Sequence, residues 1–326
     1  MWREALLILG LAAVGLAILY ALIPIIFRPF WRLVFWPHYR IIVRGAEHIP
    51  RSGAAVVAGN HVSWVDGCLI TIASPRTGWH MIASDYVSGP LFRHLVKPMH
   101  LISVASKGPH AHKAAIMAAR NVLDEGKLFG IFPEAQLSRN GLPAPFLRGI
   151  EVILKGRPDV PVIPFAIEGM WGSIFSNSGG RFFKKWPQSW RRTVVVSFGP
   201  AVSPPVTAFA IRQAVREQSV NADRLLKIPP YAEMVDPNLP SLPGLTISMT
   251  DYEQGNVRQV GWKPGTVGQA APGVALRVVD SQGIVLGPDT EGMLQVISTD
   301  ILTWTDTDHR ARIDRDGFVS LAPKEG

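Results

Sequence analysis

The chain has 326 residues, 47% apolar and 18% charged, with a formal net charge of +8 and a single cysteine. That length holds one full catalytic domain plus a smaller unit, and the basic balance narrows the macromolecular partners to an anionic membrane surface or nucleic acid. A positive mean hydropathy favours the membrane, the absence of zinc-finger spacing and of an aromatic RNA-binding signature argues against nucleic acid, and a lone Cys68 excludes an internal disulfide, which suits a reducing compartment.

From Ala5 to Ile26 no residue is charged. A run of about 22 residues is long enough to cross a bilayer core as a helix. It ends in Ile25-Ile26-Phe27 rather than in a small-residue cleavage site, so it reads as a retained anchor rather than a signal peptide. It is apolar all round, which favours a span over a helix lying in one leaflet. Arg28, Phe30, Trp31, Arg32, Phe35, Trp36, His38 and Arg40 follow, a mixture suited to the headgroup layer. The positive excess on this C-terminal flank places the body of the protein on the cytoplasmic face. Residues 1–38 are therefore expected to form an anchor with an interfacial segment.

Residues 39–232 alternate in a strand–helix rhythm. Ile41–Val43 and Ala54–Ala58 read as strands, Leu69–Ala73 and Ala111–Leu123 as helices, Leu128–Phe132 as a short apolar run closed by Pro133, and Val160–Ile167 and Thr193–Phe198 as further strands. This pattern predicts an α/β domain with a mostly parallel central sheet flanked by helices. The Pro-rich stretch over Ile228–Pro243 predicts a linker, placed at 233–244. Residues 245–326 are strand-like with glycine turns and predict a small β-rich segment.

The chemistry concentrates in Gly59-Asn60-His61-Val62-Ser63-Trp64-Val65-Asp66-Gly67, at the end of a strand that reads as buried. In open α/β sheets ligands collect at the carboxyl ends of strands. His61 and Asp66 are five apart, about 140° around a continuous helix, so they meet only if the chain turns between them. Ser63-x-x-Asp66 matches a capping box that opens a helix. His61 would then lie in the loop and Asp66 in the first turn, with the carboxylate on one imidazole nitrogen and the other nitrogen free as a base. A cap residue beside a polar loop histidine is the blander alternative. A second strand ends in Phe132-Pro133-Glu134-Ala135, where Glu134 is a candidate for binding substrate hydroxyls and the nearby Lys107, Arg139 and Arg148 for meeting a phosphate; ordinary surface charge is the alternative for each. Cys68 reads as a small buried side chain rather than a nucleophile.

Together these stretches resemble the glycerophospholipid acyltransferase family, of the lysophosphatidic acid acyltransferase type. Asn60, His61 and Asp66 match its Asn-His-x-x-x-x-Asp block, Phe132, Pro133 and Glu134 its Phe-Pro-Glu-Gly block with Ala135 for Gly, and Val162, Ile163 and Pro164 its Val-Ile-Pro block. The resemblance implies that His61 and Asp66 are catalytic and that Asn60 and Glu134 contact substrate, with the nearby Lys107, Arg139 and Arg148 as the basic groups expected to hold the acceptor's phosphate; the reaction is expected to need no metal or cofactor. It implies acyl-ACP or acyl-CoA as donor and a lysophospholipid as acceptor. Two arginines of the family pattern are replaced here by Ser106 and Leu137, which points away from simple lysophosphatidic acid and towards a diester headgroup such as 2-acylglycerophosphoethanolamine.

Trp171 to Ser176, Gly179 to Phe183 and Trp186-Pro187 are similar to the acyltransferase part of bifunctional acyltransferase/acyl-ACP synthetases. Lys263-Pro264-Gly265-Thr266-Val267-Gly268 and Asp314 to Phe318 resemble the latter part of an adenylate-forming synthetase. The tail has no phosphate loop, and Thr307-Asp308-His309 stands where that family has Thr-Gly-Asp. A ligase reaction by this chain is thus disfavoured. The alternatives to an acyltransferase are an inactive membrane protein that binds lipid or a partner, and a ligase remnant.

Overall fold

The structure, a computed structural model, describes residues 2–84, 89, 94–105, 109–179, 185–186, 191–226, 236–255 and 257–323. It opens with helix α1, Trp2–Phe35, continuous across Pro24 and Pro29. Among the described residues this is the one helix long and apolar enough to cross a membrane. Its leucines and isoleucines from Leu6 to Leu22 are exposed. An apolar surface of this length exposed to water is unfavourable, which makes the helix a candidate anchor.

The end of α1 departs from the expected interfacial segment, because part of it faces the protein. Phe35 is buried, and Trp31 stacks on it at 5.3 Å. The Arg28 guanidinium bonds the Ser74 carbonyl, and that of Arg32 bonds the Ile72 carbonyl at 3.4 Å. These carbonyls lie at the buried C-terminal end of the next helix, where they need donors from outside it. Phe30, Leu33 and Trp36 keep the outward orientation.

In chain order there follow β1 (Tyr39–Arg44), β2 (Ala55–Gly59), α2 (Asp66–Ala73), β3 (Gly78–Ala83), β4 (Leu101–Val104), α3 (Pro109–Asp124), β5 (Leu128–Ile131), α4 (Gly149–Leu154), β6 (Val162–Glu168), β7 (Arg192–Phe198) and α5 (Ala208–Asp223). The seven strands form one sheet in the order β1-β7-β6-β2-β5-β3-β4. Every neighbouring pair is parallel except β6–β7. β2 sits at the centre, buried along its whole length, and for that reason is apolar at every position rather than at alternate ones. Val57 faces the side covered by Leu69 and Ile70 of α2; Val56 and Ala58 face Ala119 of α3, Ile150 of α4 and Ile211 of α5.

The C-terminal region is β-rich. β8 (Thr246–Ile247) pairs with β11 (Gln269–Ala270), β9 (Tyr252–Gln254) pairs with β10 (Val257–Gln259), and β12 (Val274–Val279), β13 (Gly292–Ser298), β14 (Thr305–Ile313) and β15 (Val319–Leu321) make an antiparallel sheet. α5 serves both halves. Ile211 and Val215 pack under the large sheet, whereas Val220 packs with Ala275 and Ile297. The buried Arg216 donates to the carbonyls of Ala270, Ala271 and Val274 at 3.1, 2.8 and 2.7 Å. Of the expected linker, residues 233–235 lie outside the described residues. The remainder folds onto the C-terminal unit, with Asp236 N donating to Ser248 O at 3.1 Å and Leu242 against its core.

Close packing also buries a titratable group. His80 of β3 is 6% exposed and lies beside Gly130 of β5, where a Cβ would fall 2.2 Å from its Nδ1. Burial, and secondarily the charge of His100, pull the His80 imidazole down from 6.5 to about 4. The folded state therefore refuses a proton that the unfolded chain accepts. The contribution is complete above the unfolded value and is lost as the pH falls through the folded one. Stability should drop by about 3 kcal/mol between pH 6.5 and 4 from this group. Urea unfolding at pH 7 and pH 4.5 checks it: the slope should shrink in His80→Gln, and an unchanged slope assigns it elsewhere.

Candidate active site

Gly59 ends β2 where a Cβ would collide with the Phe165 ring at 2.3 Å, so only glycine lets β2 and β6 close here. The next residue locks the loop onto β6. Asn60 donates to Ile167 O at 3.0 Å and accepts from Ile167 N at 2.8 Å, and it is 4% exposed. Its amide is thus spent on the main chain, which differs from the substrate contact that the resemblance implies.

His61 then leaves the sheet edge, and the chain turns back into α2. His61 Nδ1 lies 2.9 Å from Asp66 Oδ2. The same oxygen accepts from the amides of Val62 at 2.7 Å and Ser63 at 2.8 Å, and the Ser63 hydroxyl donates to Oδ1. Asp66 is fully buried. With this many donors, and with the first turn of a helix behind it, the carboxylate is held in one orientation. The capping box is altered in detail. The helix begins at Asp66 with Val65 at its cap, and the Ser63 hydroxyl binds the carboxylate rather than a helix amide.

The imidazole stacks on Phe132 at 4.1 Å with the rings 13° apart, and its side chain is 23% exposed. Among the described residues Nε2 has no partner. The arrangement is a histidine with one nitrogen fixed by a carboxylate and the other turned to the surface, which can take a proton from an approaching hydroxyl. Trp64, three residues on, is 44% exposed. Its amide donates to Phe175 O at 3.0 Å, and Ser63 bridges to Ser176, so the loop after β6 closes one side.

The second strand end holds the main chain of His61. Glu134 Oε1 accepts from His61 N at 2.8 Å, Oε2 accepts from Ala144 N at 2.7 Å, and Ser138 N donates to His61 O at 2.7 Å. Glu134 is 4% exposed. Both of its oxygens are occupied by amides, so the geometry gives it a positioning task rather than the expected contact with substrate hydroxyls. Burial pushes its carboxyl up to about 8, against the pull of the two amides and of Arg212. Ala135 sits at φ 51°, where a glycine would rest without strain.

The basic candidates scatter. Lys107 lies outside the described residues. Arg139 donates to Asn177 Oδ1 at 2.9 Å and lies over the Tyr252 ring at 5.5 Å. Arg148, with its side chain 73% exposed, pairs with Glu151 at 2.9 Å. Burial, and then the charge of Asp66, push the Cys68 thiol up to about 12, which leaves it inert. The sequence reading missed Ser138 and the Phe132 ring as partners of His61. Only the strand break at Pro133 hinted at a loop returning to this edge.

Residues 40–168 match the Acyltransferase family model, and the matched segment contains His61, Asp66 and Glu134. The chain is 30% identical over 145 residues to a 1-acyl-sn-glycerol-3-phosphate acyltransferase of Borreliella burgdorferi, covering 43% of this chain and 57% of that one. It is 29% identical over 139 residues to the human 1-acyl-sn-glycerol-3-phosphate acyltransferase alpha, covering 39% and 45%. The crystal structure of the 1-acyl-sn-glycerophosphate acyltransferase PlsC from Thermotoga maritima superposes with a TM-score of 0.48 at 22% identity, covering 64% of this chain and 81% of that one. The chain spans about half the length of the curated relatives it matches.

Proposed function

We propose that the chain is an O-acyltransferase that moves a fatty acyl group from a thioester of acyl-carrier protein or CoA to the free hydroxyl of a lysophospholipid. The observation that carries this reading is the His61–Asp66 contact, with Nε2 of the imidazole open at the carboxyl edge of the sheet. The family match over the same residues supports it.

In the reaction the acceptor hydroxyl gives its proton to His61 Nε2 as its oxygen attacks the thioester carbonyl. Asp66 holds the proton on Nδ1 and stabilises the imidazolium. The tetrahedral intermediate collapses, the carbon–sulfur bond breaks, and the departing thiolate takes the proton from Nε2. An ester and a free thiol result, and the base is restored. The thiolate is a good leaving group, so the chemistry calls for no metal.

The acceptor is proposed to carry a phosphodiester headgroup. Ser106 and Leu137 stand at the two arginine positions of the family pattern, and Arg139 is engaged by Asn177 and Tyr252. A diester needs less charge neutralisation than a phosphomonoester. α1 would anchor the enzyme where such lipids reside, with its basic flank and the folded body on the cytoplasmic side. The C-terminal segment, similar in sequence to part of an adenylate-forming synthetase, is proposed to carry no ligase chemistry of its own, since it has no phosphate loop and Thr307-Asp308-His309 stands where that family has Thr-Gly-Asp.

The test is a panel. The purified chain in lipid vesicles is given radiolabelled acyl-carrier protein or acyl-CoA with lysophosphatidic acid, lysophosphatidylethanolamine or lysophosphatidylglycerol. Labelled diacyl product from a diester acceptor is expected. Lysolipid binding with no product from any donor would favour the reading of an inactive lipid-binding protein, to which the same engaged Arg139 lends support.

A further inference from the structure

We propose that the β9–β10 hairpin braces the general base, with Gln259 as a positioning residue for acyl transfer; this rests on the His61 reading above. The C-terminal region is joined to the acyltransferase segment by more than the chain. Gln259 is 4% exposed and reaches into the loop that follows β5. Its Oε1 accepts from Arg139 N at 2.6 Å, and its Nε2 donates to Asn140 Oδ1 at 2.7 Å and to Leu142 O at 3.1 Å. One primary amide therefore takes one hydrogen bond and gives two, all to three nearby residues of a single loop. A side chain that only fills space has no need of three matched partners, and without it Arg139 N would lose its acceptor, whereas Asn140 Oδ1 would keep Leu142 N and Leu142 O the Ser138 hydroxyl.

The loop it grips is the one that fixes His61. Arg139 N is held by Gln259, while the preceding amide, Ser138 N, donates to His61 O at 2.7 Å. Ten residues after Glu134, Ala144 N closes the other side of that carboxylate, whose Oε1 holds His61 N. His61 is thus gripped at both its N–H and its carbonyl by a loop whose own conformation Gln259 sets. The hairpin adds a second hold. Tyr252 is the cross-strand partner of Gln259, and its ring lies under the Arg139 guanidinium at 5.5 Å. A third comes through α5: Arg212 bonds Pro143 O and Gln269 Oε1, each at 3.4 Å, next to Ala144. Two contacts from the C-terminal region, and a third relayed from Gln269 through Arg212 of α5, thus converge on the loop between Glu134 and Ala144. The region works as a structural part of the site, whatever its similarity to a synthetase.

The test uses the full chain in lipid vesicles, with Gln259→Ala, Asn140→Ala and the double variant. Amide hydrogen exchange needs no turnover and reads the brace directly. In Gln259→Ala, peptides covering 59–66 and 134–144 should exchange about tenfold faster, with 162–168 and 292–313 unchanged. With the donor and lysophospholipid that give the highest wild-type rate, kcat should fall about tenfold while KM for the lysolipid changes less than about twofold. The double variant should fall short of the sum of the two losses, because the Gln259–Asn140 bond is lost in both. Wild-type exchange at 59–66, an unchanged kcat or additive losses would overturn the proposal. If Gln259→Ala loosens the C-terminal sheet itself, Asn140→Ala decides. It removes one of the three bonds from the loop side, so exchange should rise there by a smaller factor than in Gln259→Ala, and wild-type exchange at both 59–66 and 134–144 in that variant overturns the brace. A wild-type chain without acyl transfer would sink the proposed function, and the exchange pattern would still decide the brace.

Discussion

His61→Ala eliminates acyl transfer, by about three orders of magnitude or to background, while the protein still floats with vesicles and unfolds at the wild-type temperature. The expectation follows from what the ring does and does not hold up. It stacks on Phe132 and bonds Asp66, but the loop around it is fixed by main-chain contacts at its N–H and carbonyl, which alanine keeps. Its side chain is partly exposed, so the cavity left behind is open to water. The substitution should therefore separate chemistry from folding. Initial rates with the best donor–acceptor pair check the first half, and flotation with thermal unfolding the second. A folded, membrane-associated His61→Ala protein that turns over at the wild-type rate would remove the general base from the mechanism.

Glu134→Gln does the opposite and damages the scaffold and the chemistry together. The change is isosteric, but above pH 8, where the carboxyl is ionised, its two oxygens accept from two N–H donors, of His61 and Ala144. A glutamine places one amide N–H against one of those donors, whichever way it turns. One buried amide then loses its partner, at a cost of about 1–3 kcal/mol, and the grip on the His61 main chain is weakened. Denaturant unfolding should show a loss of that size with an unchanged m-value, and kcat should fall at least about tenfold with little change in KM. If Glu134 instead contacted the acceptor's hydroxyls, the variant would raise KM and leave stability intact, so the two tasks are separable in one experiment.

The contrast shows where the local sequence ran out. The strand–helix alternation was readable wherever an element is buried on one or both faces by apolar side chains alone: β2, β6, β7 and α3 all fall within a few residues of their expected bounds. β3, α4 and α5 were not singled out. α5 buries Arg212 and Arg216 on the same helix as Ile211 and Val215, which blurs the apolar stripe from which a core-facing helix is recognised. Arg216 can lie inside there because the C-terminal region supplies three carbonyl oxygens to meet it, and Arg212 because Pro143 O and the Gln269 side chain do; all of that is information from more than fifty residues away.

The amino-acid sequence by itself determined the local events: an apolar stretch long enough to span a bilayer, a buried parallel strand closed by Gly59, and a turn that returns Asp66 to His61 within five residues. Such features depend on neighbours along the chain, so periodicity and spacing reveal them. Only the tertiary structure decided what surrounds them. It turned Asn60 and Glu134 from expected substrate contacts into main-chain clamps, drew Arg139 onto Tyr252, and brought Gln259 to the loop that holds His61. A polar side chain takes its role from whichever donors and acceptors lie within about 3 Å of it, and packing, not sequence separation, chooses those.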